Sequence, residues 1–173
     1  TSPAASNTSS VFAKHIRTDR LALRPLKTRD FWFFFRLLGN QRVRRHLGGP
    51  VDWRQRLSRF RRYLVAPDDV GIWVVSTADC PQPLGLVEIG PHKDRHDHAI
   101  PYQVAPVFWG QGFAREAIQA VVNHALAESG LARLIAETQS ANSASCRLLR
   151  EQGMVEIKRL DRFGEEQIVF ATI

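Results

Sequence analysis

The sequence predicts an α+β fold in which helices pack on a mixed sheet of about seven strands. One observation behind this prediction is that short segments with alternating or continuous apolar residues recur along the chain, as β-strands require. Another is that longer segments with apolar residues three and four positions apart lie between them, as helices require. The predicted order is β-α-α-β-β-β-α-β-α-β-β, and the length of 173 residues fits one domain with its own core.

The first part of the chain contributes one strand and two helices. Residues 21–26 (LALRPL) alternate in polarity and predict the strand. Asp30 is the expected N-cap of a helix over residues 31–38, whose aromatic run gives a broad apolar face. A second helix is predicted from residues 51 or 52 to about residue 64. Its inward positions are predicted to be Trp53, Leu57, Phe60 and Leu64.

The later elements follow from changes in apolar spacing. The strongest amphipathic stretch predicts a helix after Gly112, which Ser129 and Gly130 bring to an end. A shorter helix, capped by Asn142 or Ser143, is predicted to end near residue 152. The remaining predicted strands are residues 72–76, 84–89, 99–104, 134–138, 155–160 and 167–172.

The ends and the cysteines give few further signals. Residues 1–14 are predicted as a flexible N-terminal leader, because the first ten are small and polar, and residues 15–173 as one folded domain. No apolar run approaches the roughly 20 residues of a membrane span. Cys80 and Cys146 form neither a disulfide framework nor a metal-binding pattern. With no export signal, the expected compartment is the reducing cytoplasm.

The positive charge is concentrated in one segment. Residues 42–62 contain eight arginines and one acidic residue, Asp52, so this segment alone accounts for the formal net charge of +7. One interpretation is a charged helix face that turns its apolar residues inward. The other is a cationic rim that attracts an acidic partner or RNA.

The segment WGQGFARE, residues 109–116, joins a predicted strand to the strongest helix. Its glycines allow close approach to the backbone, and a helix N-terminus presents unpaired N–H groups and a partial positive charge. These features predict a cradle for a pyrophosphate, although a tight turn without a ligand has the same glycine pattern. The segment lacks the GKS or GKT ending of a nucleoside-triphosphate loop and the GxGxxG spacing of a dinucleotide fold.

Three segments in order resemble one enzyme superfamily. DRLALRPL (residues 19–26), YQVAPVFWGQGFAREA (102–117) and ANSASCRLLREQGM (141–154) are similar to the GCN5-related N-acetyltransferase (GNAT) superfamily. Within it, the chain most resembles the ribosomal-protein N-terminal acetyltransferases, over residues 19–173. The resemblance implies a mostly antiparallel sheet with helices on both faces, acetyl-CoA as the acetyl donor and an amine as the acceptor. Dimers are common among similar proteins, so a homodimer stays open.

The same resemblance implies a set of residues that bind acetyl-CoA. The strand at residues 102–105 is expected to splay from its neighbour and to pair its exposed backbone with the pantetheine arm, and the glycine loop is expected to hold the pyrophosphate. An Asn-x-x-Ser pattern contributes an asparagine near the thioester. The cofactor-binding residues predicted in this way are Gln103, Val104, Ala105, Trp109, Gly110, Gln111, Gly112, Phe113, Ala114, Arg115, Asn142 and Ser145.

Acetyl transfer to an amine needs a base for the amine and an acid for the departing thiolate. Glu88, in the middle of an apolar strand, is the first candidate base, with Asp161 second and His98 third. The alternative for Glu88 is an outward-facing strand glutamate without a catalytic role. Leu149 stands where many relatives carry a tyrosine that protonates the departing thiolate, so the acid role falls to Ser145 or to water.

Residues 91–98 (PHKDRHDH) contain three histidines and two aspartates, a composition that zinc sites share. Because nothing apolar around them shapes a site, a solvated hairpin tip is the favoured interpretation, and no metal is predicted. Cys146, beside Ser145, is predicted as a buried apolar residue rather than a nucleophile.

Two functions follow from these observations. The preferred one is an acetyl-CoA-dependent N-acetyltransferase whose acceptor is a protein N-terminus or a small amine, with an acidic or RNA-associated acceptor suggested by residues 42–62. The alternative is a non-catalytic acetyl-CoA-binding module associated with RNA or an acidic partner. Leu149 at the tyrosine position and the arginine-rich segment support this alternative.

Overall fold

The computed structural model describes Phe12, residues 14–94 and residues 96–173. This part of the chain contains nine strands and five α-helices. The strands are β1 (Ile16–Arg17), β2 (Leu21–Pro25), β3 (Gly71–Thr77), β4 (Pro83–Pro91), β5 (His98–Ala99), β6 (Tyr102–Val104), β7 (Leu134–Gln139), β8 (Val155–Arg162) and β9 (Glu165–Ala171). The helices are α1 (Phe31–Gly39), α2 (Gln41–Arg44), α3 (Trp53–Leu64), α4 (Phe113–Glu128) and α5 (Ser143–Glu151).

The strands form one mixed sheet, which confirms the predicted α+β fold. Their order is β1-β2-β3-β4-β5-β7-β9-β8, and β6 pairs with β4 outside this path. The neighbouring strands are antiparallel except β5 and β7, which run parallel. The prediction of about seven strands is low, because it misses the two-residue β1 and treats β5 and β6 as one strand.

The strand that was expected over residues 99–104 divides at Pro101, which has no N–H group to donate to β4. Just before it, the chain still follows β7, with the Ile100 N–H donating to the Ile135 carbonyl at 2.9 Å. Just after it, β6 pairs with β4. The two halves of the sheet are therefore joined through β5 and part at β6, whose other edge has no strand partner in the described residues.

Helices cover both faces of the sheet, as the resemblance implies. Successive strand residues point to opposite sides. On one side, α1 and α3 pack over Ile72 and Val74 of β3, and we call this the α1–α3 face. On the other, α4 and α5 pack over Trp73 and Val75, which we call the α4–α5 face. None of the described helices combines the length and the apolar character needed to span a membrane.

The inward face of α3 differs from the prediction at its first turn. Phe60 is buried as expected. Trp53, however, is 54% exposed, and the Arg54 guanidinium lies 5.3 Å from the centroid of its ring. Helical spacing alone does not reveal whether another element covers the first turn of a helix, and here Trp53 is left largely in solvent.

Most of the predicted leader, residues 1–14, lies outside the described residues. Phe12 and Lys14, the two that are described, contact Trp73. The Phe12 ring is buried with its centroid 6.3 Å from that of the Trp73 ring, and the Lys14 carbonyl accepts the indole N–H at 2.9 Å. These two residues therefore pack on the domain core.

Asp30 stands at the predicted N-cap position of α1, but its side chain does not cap the helix. Its side chain accepts no bond from α1 and instead accepts two from the Arg24 guanidinium, at 2.7 and 2.8 Å, and one from the Lys27 N–H at 2.8 Å. Burial would raise the pKa of Asp30, but the bonds from Arg24 and Lys27 outweigh it and hold this pKa below its usual value. The ion pair ties β2 to the start of α1.

Replacing Asp30 with asparagine is expected to destabilise the protein by about 3 kcal/mol at neutral pH, because the largely buried Arg24 guanidinium loses its counter-ion. Folding lowers the pKa of Asp30, so its contribution is present above the unfolded pKa and is lost as the pH falls through the folded pKa. Urea unfolding at neutral and acidic pH measures this. A loss of equal size at both pH values would contradict the ion pair.

Candidate functional site

The glycine-rich segment forms an open backbone corner at the start of α4. Gly110 and Gly112 adopt positive φ angles of 73° and 79°, which glycine tolerates without steric cost. The first hydrogen bond of α4 is donated by the Glu116 N–H to the Gly112 carbonyl, at 3.1 Å. The N–H groups of residues 113–115 therefore point out of the helix end without helical partners. Together with the helix dipole, they form a site for an anionic group.

Arg20, which is absent from the predicted site residues, braces this corner from outside. Its guanidinium donates to the Gln111 carbonyl at 3.0 Å and forms a salt bridge with Glu116 at 2.6 Å. It also lies 4.9 Å from the centroid of the Phe113 ring. Arg20 and Gln111 are 91 positions apart and meet because β2 packs against α4, so no local pattern links them.

β6 presents one backbone edge to the gap between the two halves of the sheet. Gln103 and Ala105 use their backbone groups to pair with β4. Because successive strand residues alternate, the backbone groups of Tyr102 and Val104 point into the gap. The Val104 carbonyl accepts the indole N–H of Trp109 at 2.7 Å, which draws the loop toward this edge.

These features fit the acetyl-CoA that the resemblance implies. A pantetheine arm carries amide groups, which suit a strand edge such as that of β6. A pyrophosphate suits the N–H groups of residues 113–115. Beside them, a cleft of about 630 Å³ runs along α4, with Arg20, Arg115 and Gln152 among its lining residues.

The first turn of α5 reaches β6 through a hydrogen bond. The Tyr102 hydroxyl lies 2.5 Å from Ser145 Oγ, and burial raises the pKa of Tyr102. The Asn142 side-chain oxygen accepts the Ser145 N–H at 3.2 Å and caps α5. Leu149, where the resemblance implies a tyrosine in many relatives, is fully buried in the core. Cys146 is buried too, and burial raises the pKa of its thiol, which suits an apolar role.

Glu88 lies partly buried on the α1–α3 face, beneath α3. Its carboxylate accepts a hydrogen bond from the Tyr63 hydroxyl at 2.5 Å. Burial raises the pKa of Glu88, and the bond from Tyr63 and the positive charges of Arg59, Arg44 and Arg62 offset this only in part. A carboxyl whose pKa is raised toward neutrality has the property of a general base.

The arginine-rich segment, residues 42–62, surrounds this carboxyl with positive charge. Arg44 is fixed by hydrogen bonds to the carbonyls of Gly49, at 3.0 Å, and Leu47, at 2.5 Å. Burial, followed by repulsion from Arg59, lowers the pKa of Arg44. Within the described residues, none of the eight arginines forms a salt bridge with an acidic side chain. The segment thus keeps a charge that no ion pair neutralises.

The other candidate bases lie apart from Glu88. Asp161 is exposed on β8, the edge strand, and β5, β7 and β9 separate it from β4. His98 lies on β5, opposite Pro91. Glu88 and Ser145 occupy opposite faces of the sheet beside β6, and Asp161 belongs to neither place.

The prediction of a solvated hairpin tip at residues 91–98 is wrong for His92, which is buried. Its Nε2 lies 2.7 Å from Glu137 Oε2, and Arg162 binds both Glu137, at 3.0 Å, and Asp94, at 3.1 Å. The partners come from β7 and β8, so the sequence around His92 does not reveal them. The described residues contain no group of three or more side chains that could hold a metal ion.

Comparisons with known proteins give consistent matches. Residues 20–155 match the family model described as an acetyltransferase (GNAT) domain. The chain is 30% identical over 143 residues to the uncharacterized N-acetyltransferase YoaA of Bacillus subtilis, covering 80% of this chain and 81% of that protein.

Two solved structures share the fold. A GNAT-family acetyltransferase from Bacillus anthracis has a TM-score of 0.81 at 18% identity, covering 92% of this chain and 98% of that one. Spermidine N-acetyltransferase from Vibrio cholerae, in complex with CoA and spermine, has a TM-score of 0.78 at 21% identity, covering 89% and 95%.

Replacing Tyr63 with phenylalanine is expected to raise the pKa of Glu88 further, because the carboxylate loses the hydroxyl that donates to it. An NMR titration of the carboxyl carbon measures this pKa. Tyr102→Phe removes a hydroxyl from the opposite face and serves as the control. An unchanged pKa in Tyr63→Phe would show that the hydrogen bond does not act on Glu88.

Proposed function

The chain belongs to the GNAT acetyltransferase family, and we propose that it transfers the acetyl group of acetyl-CoA to an amine acceptor. The observation that carries the proposal is the backbone corner at residues 110–115, with unpaired N–H groups at the mouth of α4 beside the open edge of β6. Glu88, a carboxyl with a raised pKa next to β6, favours a catalytic role over the non-catalytic alternative.

The donor side of the proposal uses mainly backbone groups. When bound, acetyl-CoA supplies its acetyl group as a thioester. The N–H groups of residues 113–115 would hold the pyrophosphate, and the edge at Tyr102 and Val104 would pair with the pantetheine arm. Gln103 and Ala105 contribute by fixing β6 to β4. Arg20 contributes by holding the loop in place.

Glu88 removes the proton from the acceptor in this proposal. An amine is protonated at neutral pH and must lose a proton before its nitrogen attacks a carbonyl. The raised pKa of Glu88 brings its proton affinity closer to that of the amine, which makes the transfer easier. Tyr63 orients the carboxylate through its hydroxyl.

Ser145 protonates the leaving group on the opposite side of β6. Its hydroxyl lies at the first turn of α5, where the helix dipole also favours a developing negative charge. The Tyr102 hydroxyl, 2.5 Å away, can return a proton to Ser145. This arrangement would take over the role of the tyrosine that Leu149 replaces.

The acceptor side is cationic. Residues 42–62 support an acceptor that is acidic or associated with RNA, because uncompensated arginines attract anions. They would repel a polycation such as spermidine, the substrate named for the similar Vibrio cholerae enzyme. A protein N-terminus, as in the ribosomal-protein branch that the sequence resembles, and a small amine both fit this description.

Amine-dependent thiol release from acetyl-CoA, measured across a panel of amines, tests the proposal. Calorimetric titration with acetyl-CoA accompanies it. We expect saturable binding and turnover that requires an amine. Binding without turnover across the panel would instead favour the non-catalytic module, and a lack of binding would contradict both functions.

Glu88→Gln is expected to lower kcat/KM by about 100-fold and to remove the acidic limb of the pH profile, because no base remains. Acetyl-CoA affinity should stay unchanged. Folding raises the pKa of Glu88, so its stabilising contribution is present in acid and is lost as the pH rises through the folded pKa. The variant should therefore be at least as stable as the wild type at neutral pH. Normal turnover would transfer the role to water.

Gly112→Glu is expected to weaken acetyl-CoA binding by more than about tenfold, because a carboxylate enters the anion cradle and the positive φ strains a side chain. Gly130→Glu is the matched control, since Gly130 has a φ of 70° at the far end of α4 and open space around it. Calorimetry measures both affinities. Equal affinities in the two variants would place the pyrophosphate elsewhere.

A further inference from the structure

Gln103 and Glu88 are neighbours on the same face of the sheet. Gln103 lies opposite Leu86 in the β4–β6 ladder, and Glu88 is two residues beyond Leu86, so the three side chains point to the α1–α3 face. Diagonal neighbours in such a ladder lie roughly 7 Å apart, within reach of one small ligand.

Gln103 has an unused hydrogen-bond acceptor in this place. The residue is 8% exposed, and its side-chain oxygen Oε1 is buried without a partner. An unpaired buried carbonyl is unfavourable, and a ligand that donates an N–H group relieves it. A protonated amine has N–H groups for both Glu88 and Gln103.

Two arginines whose charges act on Glu88 form no salt bridge with a carboxylate in the described part of the chain. Of the charges that act on Glu88, that of Arg59 is the strongest, followed by that of Arg44. Arg44 is held in position by loop carbonyls, and Arg59 repels it. A bound anion would relieve this repulsion, so an amine that also carries a negative charge matches the whole site.

The gap is bridged at one end. His46 Nδ1 lies 3.2 Å from Gln139 Oε1, which joins the loop after α2 to the end of β7. An extended chain passing through this end would have to break the bridge. The bridge therefore favours a short acceptor over a polypeptide.

We infer that the acceptor is a small amine with a carboxylate or phosphate next to the amine, and that Gln103 binds it. The inference rests on the proposed acetyl transfer. Gln103 Oε1 accepts one N–H of the amine, Glu88 takes a proton from the same nitrogen, and Arg59 and Arg44 bind the anionic group. The nitrogen then bonds to the acetyl carbon as the C–S bond breaks, and the thiolate receives a proton from Ser145. The second proton of the nitrogen passes through water to the Ser145 oxygen, which leaves a neutral amide and a neutral serine.

Matched acceptors test the anionic group. Alanine is compared with alaninamide, and O-phosphoethanolamine with ethanolamine, by thiol release from acetyl-CoA, with rates expressed per protonated amine, the form that the site binds. We expect the anionic member of at least one pair to have a kcat/KM about tenfold higher, as a charge-assisted contact provides. The pair with the larger ratio of kcat/KM values shows whether the site prefers a carboxylate or a phosphate. Equal rates within both pairs would overturn the inference and leave acetyl transfer intact.

Two neighbouring arginines of α3 provide a matched pair of variants. Arg59→Gln is expected to abolish the preference for the anionic acceptor. Arg61→Gln is the control, because Arg61 is exposed and is not among the charges that act on Glu88. Loss of the preference in both variants, or in neither, would contradict the role of Arg59.

Gln103→Leu separates acceptor binding from structure. We expect the acceptor KM to rise about tenfold while the Kd for acetyl-CoA and the melting temperature are kept, because leucine leaves no unpaired buried oxygen. An unchanged acceptor KM would exclude Gln103 from the site. Faster turnover of an acidic N-terminal peptide than of both small acids would overturn the small acceptor. Failure of the wild type to bind acetyl-CoA would remove the proposed function and the inference together.

Discussion

The departure of the chain from β7 at Pro101 is the constraint on which the site depends. At this residue the chain stays on β4, because the Glu88 N–H donates to the Pro101 carbonyl at 2.8 Å, although proline returns no hydrogen bond to the Glu88 carbonyl. Beyond this point β6 keeps β4 on one side and has a free edge on the other. A free strand edge invites pairing with any extended amide-bearing partner. Here it leads directly to the glycine corner of α4, where the unpaired N–H groups collect.

The sheet separates two chemical tasks at this same place. On the α4–α5 face, the N-termini of α4 and α5 favour a ligand with phosphates. The Tyr102–Ser145 hydrogen bond suits a leaving group that becomes negative. On the α1–α3 face, Glu88 lies among arginines, and its own pKa is raised. A base that keeps its proton affinity in such a positive field does so through burial, so the packing of α3 is part of the proposed chemistry. The gap beside the free edge of β6 is the place where a ligand could contact both faces of the sheet.

Periodicity and glycine placement are enough to predict most of this fold from sequence. The long helix α4 and the buried strands β3, β4, β7 and β9 show local patterns, because each buries a face that its own residues define. The division of β5 from β6 is missed, since the effect of Pro101 depends on which strands lie on either side. Trp53 is misplaced for a similar reason, because helical spacing does not show which part of α3 another element covers.

In the candidate site, too, local patterns identify some residues, while contacts between distant elements are not visible in the sequence. Glu88 stands out in sequence as a carboxylate among apolar strand residues, but its partner Tyr63 comes from another element, 25 positions earlier. Arg20 and the His92–Glu137 pair are likewise contacts between distant elements with no signature of their own. The unpartnered oxygen of Gln103 is visible only after the strand register is known.

A crystal structure of the protein with coenzyme A decides whether the corner at residues 110–115 and the edge of β6 bind the acetyl donor. We expect the pyrophosphate at the N–H groups of residues 113–115 and the pantetheine arm along the edge of β6, paired with Tyr102 or Val104. Coenzyme A bound at another surface, with that corner and that edge unchanged, would contradict this expectation.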